Sequence, residues 1–149
     1  MTGRTLSIGL IVFAAIFGAA LWWFQTQAFY ETQPEEPAVE IAGESFAVSN
    51  YEAIDADTSP LKIRACFTLD PASQTAIGLL PSAEEATPLI APEWFTCYDG
   101  ERLTRDLQTG VARAVLAEHD APRGFDRFVA VYPDGRAFMW RQNNGTFEN

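Results

Sequence analysis

The chain opens on an unbroken apolar block and then changes its pattern. Residues 6–24 carry no charge and a single hydroxyl, Ser7. As a helix this run spans about 28 Å at about 1.5 Å per residue, close to the roughly 30 Å of bilayer hydrocarbon. It predicts a transmembrane helix over 6–24 behind a leader of residues 1–5. Trp22, Trp23, Phe29 and Tyr30 crowd its far end, as an interfacial aromatic belt does.

Beyond the block the apolar positions recur with a period of two. Residues 46–51 have strand composition, and residues 51–54 extend it. Leu61, Ile63, Ala65, Phe67 and Leu69 alternate along residues 61–69 and predict a strand with one buried face. Asp70 followed by Pro71 is a side-chain cap and a first helical residue, predicting a helix to about Leu80, before Pro81. Residues 82–92, with Pro88 and Pro92, read as loop. Residues 93–98 are aromatic and predict a turn leading into a short strand. Asp99 caps a second helix from Gly100 or Glu101 to about Gln108, and Gly110 is its stop. Residues 111–117 are ambiguous by period and are taken as strand because a hairpin pattern lies just beyond them. In that hairpin, residues 125–132 form a strand, Pro133-Asp134-Gly135 a turn, and residues 136–141 the return. This order predicts an α+β fold: the N-terminal transmembrane helix plus a small domain with an antiparallel sheet and about two short helices on one of its faces.

Residues 31–40 hold Pro34, Pro37 and four Glu. They predict an acidic, extended stalk over 25–40, with the domain proper at 41–149.

Charge sets the orientation. The 149 residues carry a net charge of −10, and Arg4 is the only charged side chain before Glu31. Eight acidic and no basic residues fall between 31 and 57. The positive-inside rule then puts the N-terminus in the cytoplasm and the domain outside. So acidic a domain disfavours nucleic acid and anionic lipid as partners. The nine Arg against one Lys, Lys62, read as codon bias. Thr26-Gln27-Ala28 is a passable cleavage site, but the apolar run is long for a signal peptide and two Trp close it, so an uncleaved signal-anchor is expected. Ala14 with Gly18 and Ala15 with Ala19 offer a small-residue face for helix packing, on a membrane partner or a second copy, against a background in which Ala and Gly are simply common.

Cys66 and Cys97 are the only cysteines. An even count in an oxidising compartment predicts a structural disulfide, with Cα atoms within about 7 Å. Their separation of 31 is unlike the close spacing of redox-active pairs.

Recognisable chemistry is sparse. Asp55-x-Asp57-x-Ser59 begins like a calcium loop, but the sixth position is Pro60 and the twelfth is Cys66, so an acidic turn is expected instead. His119, between Glu118 and Asp120, is the only histidine and reads as solvated. Gly43-Glu44-Ser45-Phe46-Ala47 lacks the last Gly of a nucleophile elbow. No metal, cofactor or catalytic residues are expected. Trp94, Tyr98, Trp140 and Arg141 are residue types that dominate binding surfaces, although the two Trp read equally as core. Asp55, Asp57 and Arg64 are the candidates for a small-ligand or cation pocket.

The segments Met1-Thr2-Gly3-Arg4, Trp22-Trp23-Phe24-Gln25, residues 54–61, Arg64-Ala65-Cys66-Phe67 and Pro133-Asp134-Gly135-Arg136 resemble those of an uncharacterised alphaproteobacterial family of short, single-pass membrane-anchored proteins. The resemblance covers nearly the whole chain and implies a Gram-negative inner membrane with the domain in the periplasm. It implies no site residues. Three readings of function are open. The first is a non-catalytic interaction or accessory protein. The second is a periplasmic module that binds or senses a small ligand or cation. The third is an enzyme without a recognisable motif.

Overall fold

Helix α1 covers Gly3–Thr26 in the computed structural model, which describes residues 2–27 and 29–148. It extends past 6–24 at both ends because the backbone ladder continues: the Leu6 amide donates to the Thr2 carbonyl and the Gln27 amide to that of Trp23. None of its side chains is buried, and its best window of 18 residues has a mean hydropathy of 2.2. Length and composition suffice to cross a membrane. Ala14, Ala15, Gly18 and Ala19 all lie on it. The candidate cleavage residue Ala28 lies outside the described residues. The chain divides into two compact units, Met1–Tyr30 and Glu31–Asn149.

The second unit is α+β. Its strands are β1 (Glu31–Thr32), β2 (Ala38–Ile41), β3 (Glu44–Asp55), β4 (Arg64–Leu69), β5 (Arg113–Glu118), β6 (Phe125–Val131) and β7 (Arg136–Asn143). Helix α2 (Pro71–Gly78) follows β4, and α3 (Gly100–Thr109) precedes β5. Among the described residues the strands form an antiparallel sheet in the order β1-β3-β4-β7-β6-β5, with β2 paired to β3.

Several local signals act as expected. Asp70 Oδ1 accepts from the Ser73 amide at 2.7 Å with Pro71 opening α2. Asp99 accepts from the Arg102 amide at 3.0 Å to start α3, and Gly110 ends it at φ 79°. The β6–β7 turn closes through Gly135 at φ 92°, where any Cβ would stand 2.7 Å from the Leu69 carbonyl oxygen.

Other elements differ from expectation. Residues 31–40 are mostly exposed, but they are tied down: Thr32 pairs with Ile54, the Gln33 amide donates to Ala53, and Ala38–Ile41 forms a hairpin with β3. Strand β3 runs 12 residues and bends where its register shifts between Ser49 and Glu52; Asn50 sits there at φ 52°. The bend carries the β2–β3 hairpin over the sheet until the Ala42 amide reaches the Ala117 carbonyl of β5. Strand β4 starts at Arg64, not at Leu61, because Ser59 and Pro60 turn residues 60–62 into a 3-10 turn capped by Ser59. Residues 93–98 form turns with no strand. Pro92 supplies a carbonyl to the Phe95 amide in place of a ladder bond.

The two helices do not share a face. Ala65, Phe67 and Leu69 of β4 join Val115, Val129 and Met139 in one core, covered by Ile41 and Phe46 of the hairpin and by Ile77 of α2. Cys66, Phe138 and Tyr132 look the other way. The loop 81–99 and α3 cover them: Cys97 bonds Cys66, the Tyr98 ring meets Phe138, and Tyr132 Oη donates to Asp106. The sheet is therefore buried on both faces. The alternation along β4 reports only the Ile63–Leu69 face; the opposite face is sealed by residues distant in sequence.

Candidate functional site

Arg64, Tyr98 and Trp140 are brought together on the disulfide face. Arg64 pairs in register with Trp140, and its guanidinium lies 5.8 Å from the centre of the Tyr98 ring. All three are buried. Arg64 spends its donors on backbone. Nη1 donates to the carbonyls of Leu61 (2.5 Å) and Ile63 (2.6 Å), and Nε and Nη2 both donate to Ile90. The guanidinium thus bridges the start of β4 to the long loop. Trp140 stacks on Phe128 at 6.0 Å and donates through Nε1 to Gln142. Burial pushes the Tyr98 hydroxyl above its usual pKa, with Arg64 opposing the shift. That hydroxyl is buried without a hydrogen-bond partner among the described residues.

The other candidates lie elsewhere. Trp94 is partly exposed on the loop. Arg141 alternates to the face opposite Trp140, and its Nε donates to the Ala121 carbonyl. Asp55 ends β3 and accepts from the Ala56 amide; Asp57 is exposed in the turn just after it. The seven candidates do not form one surface. Three are interior, and Arg141 braces a different loop.

A polar cluster that the sequence pattern did not single out centres on Asp126. Its Oδ1 lies 2.9 Å from His119 Nδ1 and accepts from the Asp120 amide and from Asn144 Nδ2. Asp120 in turn accepts from the Gly124 amide and from Asn144, and these bonds hold its carboxyl below the usual carboxylate range. The His119 ring is exposed, yet it is anchored on a buried carboxylate and not simply solvated. The available signal was Asp126 itself, a carboxylate inside a strand, beside Arg127, that needs donors when buried.

Loop residues 82–87, α3 and β5 enclose an open groove of about 550 Å³, lined by Ser82, Thr87, Thr104, Leu107, Gln108 and Arg113, among others. The Arg113 guanidinium faces α2: Nε donates to Ser82 Oγ at 2.7 Å, Nη1 to the Ile77 carbonyl, and Nη2 to that of Leu80. Gln142 ties the same loop to β7, accepting from the Thr87 amide and donating to Glu85. Asp55, Asp57 and Arg64 do not line this groove. No three His, Cys, Asp or Glu side chains gather as metal ligands among the described residues.

No curated protein and no solved structure matches the chain. The family model of DUF6446, a family of unknown function, matches residues 36–149, and the chain belongs to that family.

Proposed function

We propose that this member of the family is a bitopic membrane protein whose domain serves as a non-catalytic docking or accessory module on the oxidising, periplasmic side of a bacterial inner membrane. The observation that carries the reading is the pairing, in one short chain, of an apolar helix of 24 residues with a disulfide across the domain. The helix supplies an anchor, and the disulfide is a bond that persists outside the cytosol. The polar side chains engaged within the fold support the accessory role. Arg64, Arg113 and Asp126 each hold backbone or loop in place.

Fractionation tests the placement. The full-length chain is expected to stay in the membrane pellet after alkaline carbonate, and protease added to spheroplasts is expected to remove residues 31–149. A soluble product beginning at Phe29 would make α1 a cleaved signal, and protection from the protease would reverse the orientation. Crosslinking in native membranes is expected to recover one stoichiometric partner; repeated recovery of none would count against the accessory role.

One observation favours a second reading. The groove beside α3 exceeds the roughly 300 Å³ that a small ligand needs, and Ser82, Thr87, Thr104 and Gln108 give it hydrogen-bonding groups. A panel of small polar solutes that leaves Tm unchanged would remove this alternative.

A further inference from the structure

The groove beside α3 lies between two anchored walls. One wall is loop 82–87, fastened at both ends: the Ala83 amide donates to the Ala114 carbonyl of β5, and the Thr87 amide to Gln142. The other is α3, where Thr104, Leu107 and Gln108 are spaced three and four apart and so share one face. Between the walls the lining side chains are small: Ala83, Ala86, Ala112 and Ala114. They leave about 550 Å³ open.

Two charges of opposite sign line this groove without pairing. Arg113 stands where it meets a smaller hollow of about 250 Å³ beside α2, since Gly110, Ala112 and Arg113 line both. A guanidinium has five N–H groups. Arg113 gives one each to Ser82 Oγ and to the carbonyls of Ile77 and Leu80, all neutral acceptors, and two remain. Glu84 lines the groove as well. Neither Arg113 nor Glu84 is in an ion pair among the described residues. Yet they are near each other along the loop wall. Ser82 Oγ lies 2.7 Å from Arg113 Nε, and Glu84 follows Ser82 by two residues, a reach of at most about 7 Å.

The neutral groups of the lining offer both halves of a hydrogen bond. Thr87 and Thr104 donate their hydroxyl protons to the carbonyls of Glu85 and Gly100, which leaves their oxygens as acceptors. Ser82 accepts from Arg113, which leaves its proton to donate. The Gln108 carboxamide carries a donor and an acceptor. Donors and acceptors between a cation and an anion match a peptide unit between a carboxylate and an ammonium. The chain's net charge of −10 repels a purely anionic ligand, but a zwitterion meets no such field.

We infer that this groove binds a short peptide with free ends, its carboxylate on Arg113 and its ammonium on Glu84. Charge-assisted bonds at both ends fix its direction, and the hydroxyls and Gln108 take the amide between them. The inference rests on the ligand-binding reading of the groove given above and adds the class of ligand.

The test titrates the full chain, in phosphatidylcholine nanodiscs, with L-alanyl-L-alanine by calorimetry. The same dipeptide with an amidated C-terminus and with an acetylated N-terminus is titrated in parallel. Each blocked form is expected to bind about tenfold more weakly than the free dipeptide, or worse. Glu84→Gln is expected to weaken the free dipeptide about as much as acetylation does, and to weaken the acetylated form no further. Gln108→Trp is expected to fill the groove and abolish binding. Both positions are exposed, so neither substitution disturbs the core. A blocked form that binds as well as the free dipeptide overturns the charge pairing at that end and leaves the groove a binding site. Binding by none of the three, while a neutral solute raises Tm, overturns the peptide class alone. No binding and no Tm shift with any solute overturns the groove reading as well. Dipeptide binding that survives Gln108→Trp puts the ligand elsewhere and overturns the inference.

Discussion

The Arg64 guanidinium donates twice to the Ile90 carbonyl, from Nε at 3.2 Å and from Nη2 at 3.0 Å. It reaches across 26 residues from the first position of β4 to the middle of the long loop. Arg64→Leu keeps an apolar side chain there but deprives three carbonyls of donors. It is expected to destabilise the domain by about 3 kcal/mol, with amide exchange rising first in residues 88–95. Arg64→Lys should recover little, since an ammonium cannot reproduce the planar fork. Unchanged exchange in that segment would refute the bracing role.

The Cys66–Cys97 bridge, with Cα atoms 6.3 Å apart, fastens the same loop further along. Replacing either Cys by Ser is expected to lower stability by roughly 2–5 kcal/mol in denaturant titrations. Reductant should lower the wild type to the same level and leave the variants where they are. A further loss in the variants would mean that reductant acts elsewhere.

Tyr98 packs its ring against Phe138 and under Arg64, while its hydroxyl is buried and unpartnered among the described residues. Tyr98→Phe removes only that hydroxyl. Stability should hold or rise by about 1 kcal/mol, because a desolvated donor is lost and no bond is broken. A loss above about 1 kcal/mol would reveal a partner for the hydroxyl.

Asp126 gathers His119, the Asp120 amide and Asn144 on one oxygen. Asp126→Ala leaves His119 and the Asp120 amide without this acceptor, while Asn144 keeps only Asp120, and is expected to cost about 1–3 kcal/mol. The added mobility should be confined to residues 118–126 and 143–147, readable as protease nicking there. His119→Ala, on the exposed side, should cost much less.

Acid stability is expected to depend on Asp70. The Ser73 amide that Asp70 caps holds its carboxyl below the usual range. A carboxyl depressed in the folded state contributes stability above its unfolded pKa and loses it as pH falls through the folded value. Asp70→Asn keeps the cap without the titration, so its Tm near pH 7 should stay close to wild type and fall less below about pH 4. Asp70→Ala should lower Tm at both pH values. Parallel Tm profiles for wild type and Asp70→Asn would remove the linkage.

The elements that proved legible from sequence are those whose physics is local. Asp70-Pro71 and Asp99 cap helices by bonds to amides three residues on, and Gly110 and Gly135 occupy left-handed positions that disfavour a Cβ. The Ile63-to-Leu69 alternation marks one buried face because strand side chains alternate regardless of what covers them. The pairing of two lone cysteines also needed no coordinates to anticipate. The rest depended on contacts between distant segments. The bend at Asn50 folds the β2–β3 hairpin over the sheet, and a pattern of exposed and apolar residues cannot say which strand a hairpin tip will meet. Tyr98 and Trp140 looked like part of a binding surface because such residue types dominate binding surfaces, and Arg64 looked like part of a ligand pocket. They are interior because loop 81–99, which carries Tyr98 and brings the Ile90 carbonyl to Arg64 from 26 residues away, closes over that face. Side-chain type was readable in the chain; that the second face of the sheet is also shut off from water was decided only when loop 81–99 closed over it.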